Sequence, residues 1–178
     1  MLYIAFLRGI NVSGQKKIKM AKLRQKLSEC GFGEVHTYIQ SGNLALRADA
    51  QPSDLERALK DCIAQHYGWD VPVVVRTVDE MKSILAQIPF KGKKYLLERI
   101  YFALLHEAPS SEAVEDLTGV DFSPEEVIVQ QKTVYLYSPD GAGKSKLNNN
   151  FLERKLKVSA TTRNLYTMQK MIALCEEL

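Results

Sequence analysis

Two short apolar runs, far apart in the chain, constrain its fold more than any other feature. Leu2-Tyr3-Ile4-Ala5-Phe6-Leu7 lines up with Ile100-Tyr101-Phe102-Ala103-Leu104-Leu105. Each run is rich in strand formers and far too short to cross a membrane, so each reads as a buried strand. A chain that begins the same way twice is expected to contain two copies of one unit.

The segments after each run agree with a duplication. After the first, Met20, Leu23, Leu27 and Cys30 recur at helical spacing, and Gly31 supplies a stop. Strands are expected over 35–39 and 44–47, flanking the turn signal Gln40-Ser41-Gly42-Asn43. Ser53 and Glu56 make a capping-box pattern after Pro52, and Leu55, Leu59, Cys62, Ile63 and His66 continue it as an amphipathic helix. A β-branched strand over 71–78 and a short helix over 81–88, ended by Pro89, complete βαββαβ plus a helix. After the second run the pattern predicts a helix over 111–117, strands over 127–130 and 133–137, and a helix over 145–156. A short strand near 158–162 and a terminal helix from about Leu165 come next. Arg76, Met81 and Leu85 align with Arg163, Met168 and Ile172. The expected fold is α+β, two tandem ferredoxin-like (βαββαβ) units with extra helices. The first unit is placed at 1–90 and the second, with the C-terminal helix, at 99–178.

Both opening strands are apolar on both faces. Ile4 and Phe6, like Phe102 and Leu104, are expected against helices. Tyr3, Ala5 and Leu7, like Tyr101, Ala103 and Leu105, then fall on the open side of each sheet. Apolar faces of that size are rarely left in water. They are expected to be buried between the units, under the extra helices, or in a homo-oligomer.

The net charge of +3 does not force a nucleic-acid reading, but its distribution is uneven. Residues 16–26 hold six cations and no acid, and residues 107–126 hold seven acids and no Lys or Arg. Lys144, Lys146, Arg154, Lys155, Lys157 and Arg163 make a second basic segment. The acidic segment reads as a solvated helix face. Cys30, Cys62 and Cys175 are odd in number and widely spaced, with no CxxC pair. They are expected to be reduced core thiols of a cytoplasmic protein. With neither a signal segment nor a run of about 18 apolar residues, no membrane partner is expected.

The copies differ where function is expected. The first strand of the second copy reaches its helix through His106-Glu107-Ala108-Pro109-Ser110, whereas the first copy uses the longer stretch 8–19. In this topology the first and second strands run the same way, which brings 8–14 beside 40–43. Arg8, Gly9, Asn11, Gln40, Ser41, Gly42 and Asn43 then form one polar cluster. Its glycines let backbone N–H groups approach an anion closely. The same reasoning in the second copy groups Lys144, Ser145, Lys146, Thr162, Arg163 and Asn164.

Other chemistries fit less well. Ser138-Pro139-Asp140-Gly141-Ala142-Gly143-Lys144-Ser145 ends like a phosphate-cradling P-loop. Yet Ser138 stands where that pattern wants glycine, and the preceding strand belongs to an antiparallel unit. What survives is a plausible anion site at a helix start. Ile100-Tyr101-Phe102 with 133–137 only loosely matches an RNA-stacking sheet, without its glycine-aromatic pattern. His36, His66 and His106 make no ligand-spaced cluster, so neither a metal nor a cofactor is expected. No nucleophile–base pair or carboxylate pair nominates itself.

With these residues in view, the chain resembles a bacterial family of proteins of unknown function. The resemblance rests on Leu-Arg-Gly-Ile-Asn-Val at 7–12 and Thr-Tyr-Ile-Gln-Ser-Gly-Asn at 37–43. Ser145-Lys146-Leu147, Thr162-Arg163-Asn164 and Thr167 also match the family pattern, while Leu165 stands where that pattern has tryptophan. It implies a two-part α+β fold and no particular activity. The leading expectation is a protein that binds a phosphate-bearing ligand, a nucleotide or a nucleic-acid backbone, at these polar loops. The alternatives are an enzyme acting on a small phosphorylated metabolite and a protein–protein interaction module.

Overall fold

A computed structural model describes all of residues 1–178. The first copy of the repeat runs β1 (Leu2–Leu7), α1 (Met20–Glu29), β2 (Val35–Tyr38), β3 (Asn43–Arg47), α2 (Pro52–Tyr67), β4 (Val73–Thr77), α3 (Val78–Ala86). The second runs β5 (Ile100–Leu105), α4 (Ser111–Thr118), β6 (Glu126–Gln130), β7 (Thr133–Tyr137), α5 (Asn149–Leu156), β8 (Ala160–Asn164), α6 (Leu165–Glu176). The strands form two four-stranded sheets, ordered β2-β3-β1-β4 and β6-β7-β5-β8, with every neighbouring pair antiparallel. These are two tandem ferredoxin-like units. Their registers repeat as well: Ile4 stands opposite Arg76, and Phe102 opposite Arg163.

The faces of the opening strands are the reverse of the expectation. Tyr3, Ala5 and Leu7 pack with Leu23 and Leu27 of α1 and Leu55 and Leu59 of α2. Ala103 and Leu105 pack with Leu117 of α4 and Leu152 of α5. Strands apolar on both faces carry no period-two signal, so nothing in β1 or β5 sets the parity. Ile4, Phe6, Phe102 and Leu104, on the other faces, are each 0% exposed.

The chain divides into one unit of Met1–Ser83 with Gln169–Leu178 and another of Ile84–Met168. In the first unit the Cys175 thiol donates to the Tyr3 carbonyl at 3.4 Å, and Lys82 pairs with Glu176 at 2.5 Å. Arg47 Nη2 also donates to the Leu178 carbonyl at 3.1 Å. An apolar stripe on a helix shows that it is buried, not which sheet it covers.

Two expected helix starts are also corrected. α2 has Pro52 in its first turn and no side-chain cap. Glu56 does not fold back as a capping box; it is buried, and its Oε1 accepts from the Val75 N–H at 2.8 Å. An edge strand has unpaired N–H groups, and a buried carboxylate satisfies this one. α5 begins at Asn149 rather than at 145, because the Asn148 side chain accepts from Phe151 N at 3.0 Å.

Cys30 and Cys62 are joined by a disulfide, which overturns the expectation of reduced thiols for that pair. The end of α1 lies against α2, a proximity that a sequence separation of 32 conceals. Closing a loop of 32 residues limits the unfolded chain and stabilises the fold by about 3–4 kcal/mol on the chain-entropy account. Cys175 remains a free buried thiol, as expected, and burial pushes its pKa up to about 11. No helix is long and apolar enough to cross a membrane.

Candidate functional site

β1 and β2 both run antiparallel to β3, so their C-terminal ends share one edge of the first sheet. The 8–19 loop and the 39–42 turn meet there, and Asn11 joins them. Its Nδ2 donates to the Gln40 carbonyl at 2.7 Å and to the Ile18 carbonyl at 2.9 Å. Its Oδ1 accepts from Ile18 N at 2.8 Å. The Leu7 N–H donates to Gly42 O at 2.8 Å, which pulls the turn against the strand end. A Cβ at Gly42 would lie 2.7 Å from Leu7 Cβ, and φ there is +76°, so only glycine fits. The segment before β4 completes the rim: Arg8 N donates to Pro72 O at 2.9 Å, and Lys16 Nζ to Asp70 O at 2.7 Å.

The loop itself is wound by left-handed residues: Gly9 (φ 75°), Asn11 (55°), Ser13 (50°), Gly14 (76°) and Lys16 (44°). Left-handed residues of this kind occur in anion nests, where successive N–H groups turn toward one side. The N–H groups of Gly9, Ser13 and Gly14 donate to no acceptor in the chain.

The predicted residues of this cluster fall into two classes. Asn11 and Asn43 are scaffold. Asn43 is fully buried, its Nδ2 donating to Tyr38 O at 3.0 Å and Ser41 Oγ at 2.9 Å. Arg8, Gly9 and Ser41 are half-buried and Gln40 is exposed, so these remain accessible. The adjacent basic segment sorts similarly. Lys16 is tied to Asp70, Arg24 donates to Thr37 Oγ1, and Lys26 pairs with Glu29 at 2.7 Å. Lys17, Lys19 and Lys22 are exposed and unengaged.

The second predicted cluster does not assemble as one site. β7 and β8 do end at one edge, where Ser138 N donates to Arg99 O at 3.0 Å. Neighbouring residues on a strand point to opposite faces, however. Thr162 turns toward α5, its Oγ1 donating to Asn149 Oδ1 at 2.6 Å, while Arg163 lies on the Phe102 face. Asn164 caps α6, accepting from Thr167 N at 2.8 Å. The Gly-Lys-Ser stretch meets an anion from its own chain. Glu125 Oε1 accepts from Ser138 Oγ at 2.7 Å, and its Oε2 accepts from Lys146 N at 3.1 Å. A cavity of about 330 Å³ beside this loop is lined by Asp121, Glu125 and Asp140 as well as Lys144 and Lys146. The Gly-Lys-Ser stretch lies at the end of a short 3-10 turn, Ala142–Lys144, and opens no α-helix, since α5 starts at Asn149.

A family model described as "Protein of unknown function (DUF1697)" matches residues 1–135. The chain belongs to the DUF1697 family. The DUF1697 match contains both segments of the first rim and Glu125, whereas 144–146 and 162–164 lie beyond it. Among solved structures, one similar chain is the conserved bacterial protein SP0830 from Streptococcus pneumoniae. It has a TM-score of 0.77 and 22% identity, with 98% of each chain covered. At that identity the likeness is one of fold. No curated protein matches the chain.

Three features of this DUF1697 chain escape a reading of the sequence. Glu125 sits among seven acids and nothing local singles it out. Asp70 and Pro72 reach the rim only because β4 enters the sheet beside β1. Asp70 is held ionised to lower pH than usual by the hydrogen bond from Lys60, at 2.8 Å, and by that cation's charge. The third feature is His66, which lies with Cys30 and Cys62.

Proposed function

We propose that the first unit binds a phosphate-bearing ligand, a nucleotide or a nucleic-acid backbone, on the 8–16 loop and the 39–42 turn. The observation that carries this reading is the Asn11 clamp. One side chain fixes both segments in place while the N–H groups of Gly9, Ser13 and Gly14 stay unpaired. Donors held in position before a ligand arrives cost no ordering when it does.

Charge supports the same reading. α1 comes after the loop with no acid in its first turn and no side chain capping its N-terminus. Its first N–H groups and helix dipole therefore favour an anion. Lys17, Lys19 and Lys22 add exposed cations on the same segment. Gln40 and Ser41 supply uncharged polar groups on the facing turn, and the half-buried Arg8 begins the loop. The second cluster is not part of this reading, because Glu125 already occupies its Ser138 and Lys146 donors.

Binding of ADP and of a short oligothymidylate, measured by calorimetry and anisotropy between about 50 and about 200 mM salt, tests the proposal. Affinity is expected to fall with salt, to weaken with Arg8→Ala, and to be indifferent to Lys144→Ala. Absence of binding at the lower salt, or binding unaffected by Arg8→Ala, would contradict it.

A further inference from the structure

The disulfide has a neighbour that an ordinary structural bridge does not need. Cys62 and His66 stand four residues apart on α2 and therefore on one face of that helix. Cys30 ends α1 opposite them. One sulfur from each cysteine and a ring nitrogen of His66 lie within 4.8 Å of one another. Cys62 is buried, while Cys30 and His66 are half-buried, so the group is reachable from solvent. Glu29, next in sequence to Cys30, is taken up by Lys26 at 2.7 Å and Gln25 at 3.2 Å.

Two thiolates and one imidazole, drawn from two packed helices, are a donor set that Zn²⁺ accepts. A sulfur in a disulfide has no thiolate to offer, so bridge and metal site are mutually exclusive. We propose that Cys30, Cys62 and His66, once the disulfide is reduced, bind a single thiophilic divalent cation of the Zn²⁺ type. The fourth position is left to water or an external ligand. None of these residues belongs to the anion rim, and the site stands or falls without it.

The chemistry balances with a thiol as reductant. Two R–SH molecules become one R–S–S–R, passing two electrons and two protons to the protein bridge and leaving two Cys thiols. Metal entry then displaces those two protons, since only thiolates ligate. Exchange with an oxidised thiol, R–S–S–R, reverses this: it takes two electrons from the thiolates and two protons from solvent to become two R–SH, the Cys30–Cys62 bridge re-forms, and the ion is released. α1 and α2 remain joined in both states, by a covalent bond in one and through the metal in the other.

Cobalt titration of the whole chain is the test, because Co²⁺ reports thiolate ligation by a near-ultraviolet charge-transfer band. Protein reduced with a phosphine under argon is expected to take up one equivalent with that band, and Zn²⁺ should then bleach it. Oxidised protein should show none. His66→Ala should weaken uptake by at least about tenfold while its oxidised form keeps the wild-type circular dichroism. His66→Cys should restore uptake. A reduced protein without the band, or one that loses its circular dichroism and binds no metal, would overturn the proposal. So would a band of undiminished affinity in His66→Ala.

Discussion

The two units share a fold and a strand register, yet they elaborate opposite ends of their sheets. The first lengthens the connection from β1 to α1, residues 8–19, and keeps β3 to α2 short, residues 48–51. The second crosses from β5 to α4 in residues 106–110 and lengthens β7 to α5, residues 138–148. Both long loops bring glycines, serine and lysines to a sheet edge. Both leave some N–H groups without an acceptor in the chain, Gly9, Ser13 and Gly14 in the first and Asp140 and Gly143 in the second. The difference is that in the second unit Glu125 supplies a negative charge from within, accepting from Ser138 Oγ and Lys146 N. Composition and spacing mark where a loop could hold an anion; whether it is filled depends on what the rest of the unit sends to it.

The largest effect should come from glycine positions in the first rim. Gly42→Ala places a Cβ against Leu7 and forces a left-handed alanine, and should cost roughly 3 kcal/mol in urea unfolding. Gly9→Ala meets nothing within 4 Å and should cost only about 1 kcal/mol, for its backbone alone. Equal losses at both would show that the close approach of turn to strand is not what holds the rim. Next is Asn11→Ala, which removes three hydrogen bonds and should cost about 2–3 kcal/mol while abolishing ligand binding. Serine there would recover neither, since one hydroxyl cannot reach all three partners.

Glu125→Gln should turn the second loop toward the first. It should cost about 1–2 kcal/mol and create a weak site for inorganic phosphate at Ser138 and Lys146, detectable by calorimetry. Thiol counting checks the disulfide behind α1. Native, unreduced protein should expose no reactive thiol at pH 8, unfolding should release one, and reduction with unfolding three. The smallest effect is electrostatic. The Asp70 carboxyl is held below its usual range in the fold, so its contribution is present above the ordinary aspartate pKa. That contribution is lost as pH falls through the lowered one. Lys60→Met should return the Asp70 carbon-13 titration to the ordinary range with little change in stability, because the pair is exposed.

Periodicity and turn chemistry carried the fold a long way. β1, β7 and the start of α6 stand where the apolar pattern puts them, and the duplication is legible because Arg76 and Arg163 hold equivalent places. The meeting of 8–14 with 40–43 was legible too, since strand direction is set by topology alone. Parity and long-range proximity could not be read. β1 and β5 are apolar on both faces, so which face meets the helices is undetermined. Thr162 and Arg163 are neighbours in sequence but face apart. Glu56 and Glu125 find backbone partners 19 and 21 residues away, and Cys30 finds Cys62 at 32. Local patterns cannot encode such distances.

If the first rim takes an anion and the second does not, nitrogen-15 chemical-shift mapping during titration with ADP measures both in one sample. Shifts are predicted at Gly9, Ser13, Gly14, Lys17 and Gln40, and none at Gly141, Lys144 or Lys146. Shifts centred on 141–146, or none at either loop, would contradict that division between the units.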